Sequence, residues 1–445
     1  MRKKEDKVKV SQYEKMTKTP VQRLILTLSV PSIISMLITN IYNLADTAFV
    51  GRLGTSASGA VGVVFGFMAV IQAFGFMFGQ GAGSILARAL GGQDKENATK
   101  HASTGFFMSF ICGLLITAVG FIWLDDIAPY ARTYITYILI AAPMMISSFV
   151  LNNILRYEGR ASLGMIGLMT GALLNIAGDP VLMFGCGMGI AGAGLSTAIS
   201  QLISWGILLS MFITGRTQTV INIKMVAWKE PMTILNIMST GFPSLLRQGL
   251  NSFTTMLLNL ECAVYGDAAV AAMSIVSRII FFTFSIVIGV GQGFQPVSAF
   301  NYGAGNYDRL KKAYKFTFLM SEAVIFSVTA ILILLSGDLI RIFRDDPDVI
   351  LTGTRALRLQ ALSQLLLPVC STTEMLFQST GHRLGATLIS ALRSGVLFIP
   401  SIILLAHLRG LNGIQEAQPL AILLSVPITV PFAVHFFRSL KNPGE

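Results

Sequence analysis

The chain has 445 residues, 53% of them hydrophobic and 12% charged, with 42 glycines, and its mean hydropathy is +0.67. A charged fraction about half the soluble average excludes an ordinary soluble domain. Lys and Arg outnumber Asp and Glu by 33 to 22, a formal +11, but the basic residues sit in the termini and in alternate loops, which excludes a nucleic-acid surface and reports membrane topology.

Residues 1–23 are polar and carry eight Lys or Arg between Arg2 and Arg23. They run into the first apolar segment with no cleavage site, so they read as a cytoplasmic segment and not as a signal peptide. Crossing a bilayer core takes about 20 apolar residues. Segments of that kind fall at 24–50, 58–86, 102–123, 134–155, 163–185, 190–213, 235–263, 268–299, 316–336, 353–377, 385–406 and 418–437, twelve predicted membrane helices. Every second loop is basic: Arg88, Lys95 and Lys100; Arg156 and Arg160; Arg216, Lys224 and Lys229; Arg309, Lys311, Lys312 and Lys315; Arg383; Arg438 and Lys441. The intervening loops hold only Arg52, Arg132, Arg341, Arg344 and Arg409. Both termini are therefore expected on the cytoplasmic side of a cell membrane. The predicted organisation is an N-lobe over 24–213, a cytoplasmic linker over 214–232, a C-lobe over 233–437 and a tail over 438–445. The linker, with Lys224, Lys229 and Pro231, is polar and long enough to let two bundles rock against each other.

From about Ser29 to Lys100 the chain repeats 212 residues later without a gap. Pro31-Ser32 returns as Pro243-Ser244, Gly54 as Gly266, Gly79-Gln80-Gly81 as Gly291-Gln292-Gly293, Ala87 as Ala299, Gly91 as Gly303 and Lys100 as Lys312. Six helices per half is an even number, so both halves start on the same side and the repeat is parallel. The predicted fold is thus an all-α polytopic membrane protein, twelve transmembrane helices in two pseudo-twofold-related six-helix bundles. That is the pattern of a secondary transporter with its site where the halves meet. The loops after the second helix of each half, Gly91-Gly92-Gln93-Asp94 and Gly303-Ala304-Gly305-Asn306, also match; helix termination explains their glycines, and a hinge or gate is the other reading.

Ionisable groups inside the spans are few. A mid-bilayer carboxylate costs roughly 2.5–3.5 kcal/mol on insertion scales, so it faces the protein interior or a wet cavity. The first helix carries Thr39, Asn43 and Asp46 on one face, at spacings of four and three. The fifth carries Asn175 and Asp179, with Pro180 directly after; Pro180 has no amide to donate, which frees a carbonyl one turn earlier. Two carboxylates, amide oxygens and a free carbonyl suit a small hard cation such as Na⁺, and equally a proton-binding pair. The competing reading is interhelical hydrogen bonding that only glues the bundle. In the repeat, Asp46 corresponds to Leu258, and the later helices, at an offset nearer 222, pair Asp179 with Ser401. The acidic pair belongs to the first half alone.

In the seventh helix Arg247 and Gln248 follow Pro243 by one turn; the arginine pairs with Glu374, lines a cavity or snorkels inward. The four histidines form no metal-ligand spacing, and Cys112, Cys186, Cys262 and Cys370 read as small buried hydrophobes. Gly187-Met188-Gly189-Ile190-Ala191-Gly192 fits GxGxxG, but it joins two membrane helices and lacks the strand that a dinucleotide site needs. No Walker-type sequence is present. A membrane-embedded enzyme would need an acid, base or metal cluster beyond the two aspartates, and none is found. No cofactor is expected beyond a coupling ion.

Ala45-Asp46-Thr47-Ala48-Phe49-Val50-Gly51, the Asn175-Ile176-Ala177-Gly178-Asp179-Pro180 segment and Gly189-Ile190-Ala191-Gly192-Ala193-Gly194-Leu195-Ser196-Thr197, taken with the repeat, resemble the multidrug and toxic compound extrusion (MATE) transporters over essentially the whole chain. The pattern is most similar to the family's bacterial MepA-like branch. The resemblance implies two six-helix lobes forming a V around a cavity, and export of amphipathic, often cationic drug-like compounds in exchange for Na⁺ or H⁺. It implies a first-lobe cation site at Asp46, Asn175, Asp179 and Thr197, Thr197 joining on that ground only. Leu258 opposite Asp46 leaves a second-lobe site without its acid. The implied partners are small amphipathic or cationic substrates and membrane lipid, with no nucleic acid, and the chain is expected to be a monomer. The alternative is a flippase of a lipid-linked oligosaccharide or related amphipathic lipid, whose cavity should be lined by several basic residues; mid-span arginines are sparse in the sequence.

Overall fold

A computed structural model describes residues 11–440 apart from Gly54, Asp125, Asp126 and Ala128, with backbone alone at residues 55–61 and Tyr130. The first ten residues, the last five and Gly54, the repeat partner of Gly266, lie outside the described residues. Those described are helical almost throughout, and the twelve expected spans are all present as helices.

A short helix α1 (Gln12–Lys18), capped by Ser11, precedes α2 (Val21–Gly51). Then come α3 (Thr55–Gly91), α4 (Lys95–Ile122), α5 (Pro129–Tyr157), α6 (Ala161–Pro180) and α7 (Ile190–Ile213). The second half holds α8 (Pro231–Ala263), α9 (Asp267–Gly303), α10 (Tyr307–Leu334), the short α11 (Ser336–Phe343), α12 (Pro347–Gln364), α13 (Leu367–Thr380), α14 (Arg383–Ala391), α15 (Phe398–Arg409) and α16 (Leu411–Ser439). Among the described residues, ten helical stretches are long and apolar enough to cross a membrane unaided. The other two spans are α8, which carries Arg247, Gln248 and Asn251 along its length, and the tenth, which is broken.

The breaks follow from proline and wide turns. The expected span 353–377 is α12 followed by α13, because Pro368 at the start of α13 cannot donate to the Gln364 carbonyl and its ring crowds it. The eleventh span is α14, a π-turn at Leu392–Val396 and α15. In the fifth, α6 gives way to a π-turn at Val181–Gly185 directly after Pro180. Such π-turns break the regular ladder and cluster at functional sites.

Helices α2–α7 pack on one another, as do α8–α16; the two bundles meet where α3 lies along α8, α2 along α9 and α3 against α9. Three apolar clusters show how that meeting is graded along the molecule. One draws on both bundles, joining Leu24, Met77 and Leu86 to Ile237, Phe294 and Phe300. The other two are confined to a single bundle each, one around Val64, Tyr134 and Ile190, the other around Leu258, Met273 and Ile402. The molecule is therefore closed at the end holding Gly91 and Gly303 and parted towards the other.

The matched glycines of the repeat make that closure. A Cβ on Gly91 would stand 2.1 Å from the Phe300 carbonyl oxygen, and one on Gly303 would stand 2.1 Å from that of Arg88. Phe300 is Arg88 carried forward by the same 212 residues, so the two contacts are one contact seen twice. Gly81 lies against the Ile237 carbonyl and Gly241 against that of Met77 at similar range. Helix termination is thus only part of what Gly91 and Gly303 do. Towards the parted end, Gly62 and Gly66 face open space. The later offset is visible too: Gly189 has φ 55 and ψ −131, and Gly410, 221 residues on, has φ 60 and ψ −140, a left-handed corner that only glycine adopts without strain.

Two polar elements strap the closed end. The segment expected to be a polar linker between the lobes is held along the first bundle. Buried Glu158 accepts from the Gln218 amide at 2.8 Å, the Thr219 amide at 2.9 Å and the Thr219 hydroxyl at 2.6 Å. Thr104 accepts from the Ala227 amide at 3.0 Å, and Lys100 pairs with Glu230. Helix α1 bridges the bundles: Gln12 donates to the Glu158 carbonyl at 2.9 Å, while Arg309 donates to the Thr19 carbonyl and Tyr13 packs on Phe300.

Candidate functional site

The sequence-predicted residues fall into two places. Inside the first bundle, α2, α5, α6 and α7 bring Asp46, Tyr134, Asn175, Asp179 and Thr197 together, all buried. The Tyr134 hydroxyl donates to Asp46 at 3.0 Å from both carboxylate oxygens and lies 3.3 Å from the Thr197 hydroxyl. The Asn175 amide nitrogen donates to Thr197 Oγ1 at 3.0 Å and to Asp179 Oδ1 at 3.1 Å. A continuous run of hydrogen bonds therefore joins the two carboxylates through Tyr134, Thr197 and Asn175. Its direction is fixed by donor count: the tyrosine proton goes to Asp46, so Thr197 donates to the tyrosine oxygen while accepting from Asn175. Among the described residues no Lys or Arg pairs with either aspartate. Asn175 Oδ1, Asp179 Oδ2 and nearby Asn43 Oδ1 are buried without a donor, which is what a set of oxygens suited to a proton or hard cation looks like.

Pro180 takes its place at the end of α6, where the missing amide lets the π-turn begin. Ser196, beside Thr197, donates to the Asn175 carbonyl at 3.4 Å. Sequence reasoning missed Tyr134. The signal available was a tyrosine at the first position of a predicted span, where a buried hydroxyl demands a partner.

The second place is a cavity between the bundles, above the closed end. Thr39 and Asn43 line it, although their spacing grouped them with Asp46. Helix α2 lies along the boundary between cavity and bundle, packed on both α6 and α9, so one face of it serves both. Thr39 spends its hydroxyl on the Ser35 carbonyl of its own helix, at 2.8 Å. Arg247 and Gln248 also line the cavity. Of the three readings of Arg247, pairing and lining both hold: its Nη1 stands 2.6 Å from Glu374 Oε1, with both side chains 5% exposed. Snorkelling does not occur.

Two further arginines bear on the cavity. Arg156, counted above as a loop charge, occupies the last turn of α5, is buried and reaches the cavity wall. Arg393 is buried within the π-turn of the eleventh span, its guanidinium 4.9 Å from the Phe284 ring centroid. Mid-span arginines are therefore less sparse around the cavity than hydropathy suggested. Among the described residues no group of His, Cys, Asp or Glu could hold a metal in the manner of a structural site.

Comparison with known proteins agrees with this architecture. The MatE family model matches residues 31–181 and 243–404, one block in each half. The chain is similar to the multidrug export protein MepA of Staphylococcus haemolyticus strain JCSC1435, 30% identical over 93% of this chain and 92% of that protein. It is equally similar to MepA of Staphylococcus aureus strain MSSA476, 30% identical over 89% and 90%. Among solved structures, a MATE protein in a straight conformation superposes with a TM-score of 0.92 and an outward-facing multidrug resistance MATE transporter with 0.91. Each is 24% identical and covered over 97% of this chain and 99% of its own, a likeness of fold. With both halves matched and the twelve-helix fold in place, the chain belongs to the MATE family.

Proposed function

We propose that this protein is a secondary active multidrug exporter of the cell membrane, with both termini cytoplasmic, that moves amphipathic compounds outward in exchange for Na⁺ or H⁺. The observation that carries this reading is the buried pair Asp46 and Asp179, joined through Tyr134, Thr197 and Asn175 in the wall of a bundle that borders a cavity closed at one end. Two carboxylates with no basic partner need a cation or a proton to be stable in such a place. The names of the staphylococcal relatives supply drug export as the activity.

The mechanism is alternating access. In the described conformation the cavity is shut at the end bearing the basic loops, which makes it outward-facing. A cation entering the Asp46–Asp179 network changes the charge buried within the first bundle, and cargo in the cavity is held by both bundles. Each ligand shifts the equilibrium only by its differential affinity for the two arrangements. Exchange follows if the ion and the cargo favour opposite ones.

The test is movement of reporter dyes of either charge, ethidium and fluorescein, in proteoliposomes under imposed Na⁺ or H⁺ gradients. Asp46→Asn and Asp179→Asn should abolish the gradient dependence while leaving dye binding. Undiminished gradient-driven transport in both variants would refute the coupling role.

A further inference from the structure

We infer that the inter-bundle cavity selects amphipathic anions, molecules with a carboxylate or phosphate head on an apolar body. The inference rests on the transporter reading only in taking this cavity as the cargo site.

The wall is asymmetric in charge. Three arginines reach the central cavity or its continuation towards the open end: Arg156, Arg247 and Arg393. They are 3%, 4% and 9% exposed, so bulk water does little to solvate them. No Asp, Glu, Lys or His lines either part among the described residues. One carboxylate, Glu374, stands behind Arg247, is engaged by it at 2.6 Å and also attracts Arg393, so three guanidinium charges share a single counter-charge. Arg156 has no carboxylate partner: its Nη2 donates to Asn153 Oδ1, and its buried Nε has no acceptor. A guanidinium held this way, away from water and without a counter-ion, is costly unless an anion visits it. Its fork of donors matches a carboxylate or phosphate head.

The features that would hold a cationic drug are missing or taken. The acidic pair lies inside the first bundle, off the cavity wall. The Phe284 ring, which a cation could approach, carries the Arg393 guanidinium 4.9 Å from its centroid. The rest of the wall is uncharged, apolar at Met36, Phe76, Phe149, Leu168, Phe281 and Ile288 with serine, threonine, asparagine and glutamine side chains between them. Such a wall takes a hydrophobic body of loosely specified shape, and the arginines set its charge. The cationic cargo implied by the family resemblance is therefore not what this wall is built for.

The experiment uses the full chain, purified in detergent, and two dyes with the same xanthene core and opposite charge, fluorescein and rhodamine 123. In equilibrium dialysis at low salt, fluorescein should bind at least tenfold more tightly. Arg156→Gln and, separately, Arg393→Gln should each weaken fluorescein at least tenfold without weakening rhodamine 123, and Arg156→Lys should restore part of the loss. Equal or tighter binding of rhodamine 123 to the parent, or fluorescein binding untouched by both glutamine variants, overturns the inference. Competition identifies the source of the anion. Displacement of fluorescein by phosphatidylglycerol but not phosphatidylcholine makes it a lipid headgroup; displacement by neither makes it a soluble anion, and both outcomes uphold the charge preference. Fluorescein bound but never moved under any gradient sinks the exporter reading alone, whereas rhodamine 123 moved without fluorescein binding sinks this inference alone.

Discussion

Replacing Gly91 or Gly303 with alanine should open the closed end. Each added Cβ would meet a backbone carbonyl of the other bundle at 2.1 Å, over 1 Å short of ordinary van der Waals contact. The obstacle is backbone, so no side chain can swing aside. Overpacking of this kind costs about 1–3 kcal/mol, and that range corresponds to a roughly 5- to 150-fold shift in a two-state equilibrium. Alanine also favours the helix over glycine by about 1 kcal/mol, but that gain is present in every conformation with α3 and α9 intact and cancels between them. The clash acts only when the end is shut. Spin labels at Lys95→Cys and Lys311→Cys, exposed positions at the start of α4 and near the start of α10, report the gap by pulsed electron resonance once the four native cysteines are replaced. The parent should give one short distance; Gly91→Ala and Gly303→Ala should each add a longer population, and the double variant should be dominated by it. Gly66→Ala, whose Cβ meets nothing within 4 Å, should leave the distribution alone. Unchanged distances in the folded double variant would refute the view that these glycines set the closure.

Four further outcomes follow from the geometry. Tyr134→Phe keeps the ring but removes the donor shared by both Asp46 oxygens at 3.0 Å; a hydrogen bond to a charged group contributes about 1.5–3 kcal/mol, so gradient-driven dye transport should fall at least tenfold while dye binding in dialysis stays constant. Glu158→Gln puts an amide N–H against an amide donor of the 217–219 segment, and one unsatisfied pair of about 1–3 kcal/mol should raise hydrogen exchange at Gln218 and Thr219 about tenfold, with the twelve helices still protected. Met16→Lys drives a charge into a fully buried α1 position and should release α1 from both bundles, seen as new protease sensitivity near residue 18 in proteoliposomes. The carboxyl of Glu230 is held below its ordinary value of 4.5, first by the Lys100 hydrogen bond and then by that of Thr233. Its contact is therefore fully present above pH 4.5 and lost as the pH falls through the depressed value, so hydrogen exchange near Glu230 should rise only below pH 4.5 and should do so at any pH in Lys100→Met.

The architecture was largely legible because membrane helices announce themselves by length and apolar content, and a repeat at constant offset needs no structure to be seen. The two carboxylates were legible because an ionisable group in a span is expensive and stands out. Tyr134 was not, because an aromatic in a span is ordinary and its single proton acquires meaning only when α5 presents it to Asp46. Arg156 was hidden differently: it lies one residue from the end of α5, where composition cannot tell a loop charge from one turned inward. The pinned linker escaped because what holds it, Glu158, is a loop carboxylate in sequence and fully buried in three dimensions. The breaks at Pro368 and after Pro180 could have been read from proline alone, had the apolar runs across them not argued for continuity.

One helix touches every part of this arrangement. At its inner end α2 presents Ser29, whose hydroxyl donates to the Val290 carbonyl of the second bundle at 3.2 Å and whose backbone abuts Gly293. Pro31 follows, with no amide to donate to the Thr27 carbonyl, so the helix is weakest between its bonds to α9 at Ser29 and Asn40. Midway, Ser35, Thr39 and Asn43 line the cavity, and Asn40 donates to Ser285 of α9 at 2.7 Å. Asp46 closes the sequence within the buried network. A change of charge at Asp46 alters what α2 must be packed against at one end, and its bonds to α9 at Ser29 and Asn40 are what the bundles must break to part at the other. In the proposed exchange no separate relay between ion and gate is required, because Asp46 and the contacts at Ser29 are on the same helix with a soft point between them. The counterpart α8 has the proline, at Pro243, but Leu258 where the acid would be, so under that proposal it would follow the rearrangement without sensing the ion.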